Sequence, residues 1–207
     1  MVMIQKTNYQ ISLNQRKPFQ CQAAHQAAHQ ATPNNLEALN NLGTVEVELG
    51  SIESGLGRFV GAIAIRDNGA SRVNAVNALS LLDRNKEAIV HLAKAHEMVP
   101  GSAEILRRLG HALALDQQAK VATQVLERSL ALEDSAVVRL KLGQLALEMQ
   151  DGDRALQIFS ELLEADPNGL NPLFELGRTL KGMGRLDEAS VVLTRYVQLA
   201  QGRPDQT

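Results

Sequence analysis

Small residues recur along this chain at a step of 33 or 34 positions: Gly55, Ala88, Ala122, Ala155 and Ala189. Apolar pairs keep the same step, at Leu42-Gly43, Leu109-Gly110, Leu142-Gly143 and Leu176-Gly177, with Ala75-Val76 in that slot of the second unit. A third column, Pro33, Asp67, Pro100, Asp134, Pro167 and Gln201, marks breaks. Between the apolar pair and the small residue there is room for one helix and a tight turn. Between the small residue and the break there is room for a second helix. Each unit is therefore predicted to be two helices and two turns, repeated five times. A Gly or Ala is needed where two helices cross closely, because a larger side chain forces the backbones apart. Proline cannot continue a helix and pushes the residue before it out of helical geometry. Asp166-Pro167-Asn168-Gly169 is thus a terminator with turn chemistry.

These residues resemble the tetratricopeptide repeat, a helix-turn-helix unit of about 34 residues that stacks into an array. The fifth unit carries the pattern at Leu176-Gly177, Leu180, Gly184-Arg185-Leu186-Asp187-Glu188-Ala189 and Leu193. The fourth carries it at Leu142-Gly143, Ala155, Phe159 and Asp166-Pro167, and the first at Leu42-Gly43, Gly50, Phe59 and Ala62. The second departs in its first helix but keeps Glu87-Ala88, Ala95 and Pro100. The resemblance implies an all-α fold, a right-handed α-solenoid of five repeats at about 36–68, 69–102, 103–135, 136–169 and 170–203. Residues 1–17 are expected to be a flexible or degenerate arm. Residues 18–35 are read as a capping helix, the remnant of a decayed repeat, and 204–207 as a tail.

Composition narrows the function. Hydrophobic residues make up 44% of the chain and aromatics only 3%, which suits thin layers of Ala and Leu between helices rather than one thick core. The pI of about 6.2 and the scarcity of aromatics argue against a nucleic-acid partner. No apolar run reaches the roughly 18 residues of a membrane span, so no membrane partner is expected. The first 16 residues are polar and lack the apolar core of a signal peptide. With a single cysteine, a cytoplasmic and bacterial setting is the expectation.

The chemistry of an enzyme is missing from the motifs. There is no G-x-x-x-x-G-K-[ST], H-E-x-x-H or G-x-S-x-G sequence, and no catalytic residue is assigned. Cys21, His25 and His29 sit four apart, but the outer two are separated by about 12 Å along a helix, too far to share one zinc ion. They are read as a packing face. His91, His96 and His111 have no partner at chelating spacing. Asp151-Gly152-Asp153 begins like a calcium loop but lacks the later Glu, and is read as a turn. No metal and no cofactor are expected.

The resemblance implies that the first helix of each unit lines an inner groove where a partner peptide lies. By alignment, one inner column is Asn41, Asn74, Arg108, Lys141 and Glu175, and its neighbour is Thr44, Asn77, His111, Gln144 and Arg178. Asn40, Arg107 and Lys181 flank them. Such a groove is amide-rich first and basic afterwards. Residues 103–207 hold 12 Lys and Arg against 15 Asp and Glu, yet five of those bases fall on the inner columns or flank them. That segregation points to a protein or peptide partner with acidic or C-terminal carboxylate features. The family's carboxylate clamp is matched by Asn74 and Arg108, while Asn40, Thr44 and Glu104 depart from it.

Two further features carry expectations. Gly55, Gly57 and Gly61 share one helix, so the first repeat is either the softest or the site of an unusually close helix approach. At the other end, Val191, Val192, Tyr196 and Val197 have too short a segment after them to be capped, and form a candidate self-association surface. The leading reading is an adaptor or scaffold that binds a segment of another protein. The alternatives are a module acting in trans with a bacterial sulfotransferase or glycosyltransferase system, or a self-associating scaffold for a pilus, secretion system or organelle.

Overall fold

The computed structural model describes residues 35–202, and within them the chain is all-helical, with ten helices and no strand. The expectations for residues 1–34, including Cys21, His25 and His29, and for 203–207 lie outside the described residues. Two compact units divide at Pro100 and Gly101. The first holds α1 (Leu36–Glu48), α2 (Ile52–Ile65), α3 (Gly69–Leu81) and α4 (Asn85–Met98). The second holds α5 (Ala103–Leu115), α6 (Ala119–Leu132), α7 (Ala136–Glu148), α8 (Gly152–Ala165), α9 (Leu170–Gly182) and α10 (Leu186–Gln201).

Within four of the helix pairs the packing is a knob in a glycine hole. The knobs are Phe59, Leu126, Phe159 and Leu193, on a column that Leu92 continues in the second pair, where Val76 stands in the glycine slot. A Cβ on Gly143 would lie 2.4 Å from the Phe159 ring, and one on Gly110 would lie 2.5 Å from Leu126. At Gly177 it would lie 2.6 Å from Leu193, and at Gly43 2.7 Å from Phe59. The Leu-Gly pairs of the sequence are therefore the floor that receives the second helix. Phe159 is fully buried, with Ala146, Ala155 and Leu162 around it.

The turn inside every pair is built the same way. Gly50, Asp83, Gln117, Gln150 and Gly184 all have positive φ, at 84°, 55°, 61°, 63° and 77°. Each donates its N–H to the carbonyl three residues back, and the next residue donates to the carbonyl five back, as Gln117 does to Ala114 and Gln118 to Leu113. This is the Schellman closure of a helix, which satisfies the last carbonyls and favours glycine at the left-handed position. Three repeats place a side chain there instead. Gln117→Gly is expected to raise unfolding stability by about 1 kcal/mol by relieving left-handed strain, and Gly184→Ala to lower it by a similar amount. Urea midpoints of the two variants check this.

The first helix of most repeats starts on a capping residue. The Asn35 side chain accepts from the Glu37 and Ala38 N–H groups, Asn68 from Ser71, and Ser102 from Ile105.

Candidate binding surfaces

In the first unit, the amides expected on the inner face divide between structure and display. Asn40 is half-buried and its Nδ2 donates to Ser71 Oγ at 2.9 Å, where Asn68 Nδ2 also donates at 2.9 Å. Ser71 is fully buried, so Asn40 ties α1 to α3 and is committed to packing. Asn41 and Thr44 are exposed, the latter donating to the Asn40 carbonyl at 3.0 Å. Thr44, half-buried Asn74 and exposed Asn77 line a small cavity of about 100 Å³ beside Phe59.

In the second unit, the candidate bases are less free than their positions suggest. Glu104 accepts from Arg107 Nη2 at 2.5 Å and from Arg108 Nε at 2.6 Å. Glu175 is buried, accepting from Arg178 Nη2 at 2.7 Å and from Gln144 Nε2 at 2.9 Å. These pairs were in reach of the sequence, because Glu104 to Arg107 and Arg108, and Glu175 to Arg178, are three and four apart on a helix. Lys141 is half-buried and Lys181 exposed, and neither makes an ion pair among the described residues.

His111 reports the field of this face. Partial desolvation holds its imidazole below the usual pKa, and the positive charges of Lys141 and Arg107 press it lower. His91, in the first unit, is likewise held low, first by desolvation and then by Arg72, whose Nη1 donates to its Nδ1 at 3.3 Å. Arg72 is itself bound to Asp67 at 2.6 Å. His91 is therefore half-buried against a guanidinium.

At the last helix, only Ala189 of α10 is buried. Val191 and Val197 are 72% and 46% exposed, whereas Val192 and Tyr196 are half-buried. The Tyr196 ring packs on Phe174 with centroids 5.5 Å apart. Among the described residues, no three His, Cys, Asp or Glu side chains could hold a metal ion together, and no helix is long and apolar enough to cross a membrane.

Residues 146–206 match the tetratricopeptide-repeat family profile. Paired helices at this period, with glycine holes and a common turn, agree with that match. The fold is that of the tetratricopeptide repeat. Solved structures of such repeats resemble the chain over most of its length at low identity. YrrB, described as a tetratricopeptide protein with an unusual peptide-binding site, superposes with a TM-score of 0.71 at 20% identity, over 88% of this chain and 94% of its own. MamA from Desulfovibrio magneticus RS-1 gives 0.77 at 18%, over 82% and 97%. The C-terminal part of a tetratricopeptide protein from Cytophaga hutchinsonii gives 0.75 at 13%, over 91% and 76%. No curated protein gives a significant sequence match.

Proposed function

We propose that this chain is a protein-binding adaptor and that the α5–α7 face of its second unit takes an acidic, carboxylate-bearing segment of a partner protein. The observation that carries this reading is Lys141. Its ammonium has no carboxylate partner among the described residues, and it stands close enough to His111 for its charge to act on the imidazole, as the charge of Arg107 does. A cation without an anion, on a face whose other positive groups depress a neighbouring imidazole, is a surface whose field favours an incoming carboxylate. Peptide binding also accords with the description of YrrB. No catalytic role is assigned to any residue.

Lys141→Glu is the clean test, because it breaks no ion pair. Arg178→Glu is a poor one, since it sets a second anion against buried Glu175. A fluorescent decapeptide of alternating Glu and Ser is expected to bind the wild type and to lose about tenfold in affinity on Lys141→Glu. Equal binding by both would remove the proposal.

A second reading rests on the exposure of Val191, Val197 and Leu186, the last 62% exposed. These exposed apolar side chains of α10 would let two copies associate. Sedimentation is expected to show a concentration-dependent dimer that Val191→Glu plus Val197→Glu weakens. Val192 is left alone because it is half-buried, whereas Val191 and Val197 are exposed. A monomer at every concentration would end this reading.

A further inference from the structure

One recess of the second unit has a character the sequence columns do not convey. It is an open hollow of about 920 Å³ between the end of α7, the start of α8 and the second half of α9. Gly152 opens it. A Cβ there would lie 3.4 Å from Met183 Sδ, and the other repeats carry Ile52, Asn85, Ala119 and Leu186 at the same helix start. Leu147 and Met183 supply apolar wall, and Glu148 and Asp153 supply carboxylates.

The sign of the recess follows from what is already neutralised. Arg178 and Glu175 answer each other at 2.7 Å, and Gln144 takes the second Glu175 oxygen. The α7 C-terminus and the α8 N-terminus each carry about half a unit of charge, of opposite sign, and offset one another at the turn. Asp151 additionally caps α8 by accepting from the Arg154 N–H at 3.1 Å. Glu148 and Asp153 make no ion pair among the described residues; Arg185, itself bound to Glu188, offsets part of the Asp153 charge, and the balance of the recess stays negative with Glu148 as its main source. Glu148 also stands in the last turn of α7, where the helix end disfavours an anion and makes a cationic partner more welcome.

We infer that this recess receives a lysine or arginine side chain of the partner segment, with the aliphatic stem against Leu147 and Met183 and the cationic head between Glu148 and Asp153. A side chain with an apolar stem and a charged tip matches a lining of that kind. The inference rests on the α5–α7 reading, and makes the preferred segment bipolar: carboxylates for Lys141 and His111, and a cation for the α7–α9 recess.

The test uses fluorescent decapeptides on the full chain: the Glu-Ser peptide above, and bipolar peptides with two lysines replacing the residues at one end or the other. One bipolar order is expected to bind roughly tenfold more tightly than the Glu-Ser peptide. Glu148→Gln plus Asp153→Asn is expected to erase that gain and leave the Glu-Ser affinity unchanged. Gly152→Leu, which borrows the residue of the fifth repeat, is expected to do the same by filling the recess. The Gly152 amide and Met183 methyl NMR signals should move with the favoured bipolar peptide alone. If the Glu-Ser peptide binds and neither bipolar peptide gains, the recess inference falls and the α5–α7 reading stands. If no peptide binds, both fall.

Discussion

Phe159→Ala is expected to lower unfolding stability by about 4 kcal/mol, the middle of the range for emptying a core aromatic site. Phe159 is completely buried, and its ring lies where a Cβ on Gly143 would be 2.4 Å away. The glycine exists to make room for the ring, so removing the ring leaves a void walled by a residue with no side chain to relax into it. Ala146, Ala155 and Leu162 lose their common neighbour as well. Phe159→Leu is expected to cost only about 1 to 1.5 kcal/mol. The third repeat already seats Leu126 over Gly110 with the leucine 1% exposed, so the same hole accepts a leucine. Chemical denaturation of the two variants checks the contrast. Because a repeat array need not unfold in one step, amide exchange within α7 and α8 should accompany it. Similar losses for both would mean that the knob-and-hole geometry does not govern the site.

Gly55→Ala is expected to destabilise by about 2 kcal/mol, even though alanine fills this column in the other four repeats. A Cβ on Gly55 would lie 2.5 Å from Val47 Cγ2 and 2.6 Å from the Gly43 carbonyl oxygen. The second contact is backbone and cannot turn aside. Two residues on, Gly57 is exposed with nothing within 4 Å of a Cβ, so Gly57→Ala is expected to gain up to about 1 kcal/mol from helix propensity alone. Opposite signs at Gly55 and Gly57, read from urea midpoints and α2 amide exchange, are the expected outcome. A gain at both positions would mean that α1 and α2 have slack between them. Of the two explanations the sequence left for this glycine-rich helix, the structure favours close approach at Gly55, with Gly57 contributing only softness.

The period, the helix pairing and the small-residue column were legible because a repeat states each requirement several times. A glycine at Gly43, Gly110, Gly143 and Gly177 facing an apolar knob is the same sentence four times over. Left-handed geometry at Asp83, Gln117 and Gln150 was not legible, since the residues that usually signal it stand only at Gly50 and Gly184. Nor does position on a helix face tell how much of a charge remains. Arg107, Arg108 and Arg178 were expected on or beside the inner columns as free bases, but Glu104 and Glu175 take up part of their charge. Asn40 shows the same limit, because its partner Ser71 lies in the next repeat, 31 residues away. The recess at Gly152 was hidden for a different reason. It is defined by an absent side chain beside Met183, and the sequence reading assigned Asp151-Gly152-Asp153 to a turn alone.

The reading of the α5–α7 face makes a signed prediction about protons. His111 is held low by desolvation and by Lys141 and Arg107, so a carboxylate docked there must raise its pKa. By linkage, the acidic segment must bind more tightly as pH falls through the interval between the free and bound His111 values. The direct measurement is an NMR pH titration of the His111 imidazole with and without the Glu-Ser decapeptide, His91 serving as internal control. The account predicts an upward shift of His111 alone when the peptide is bound. A bound peptide that leaves His111 unmoved, or moves both histidines alike, would contradict it.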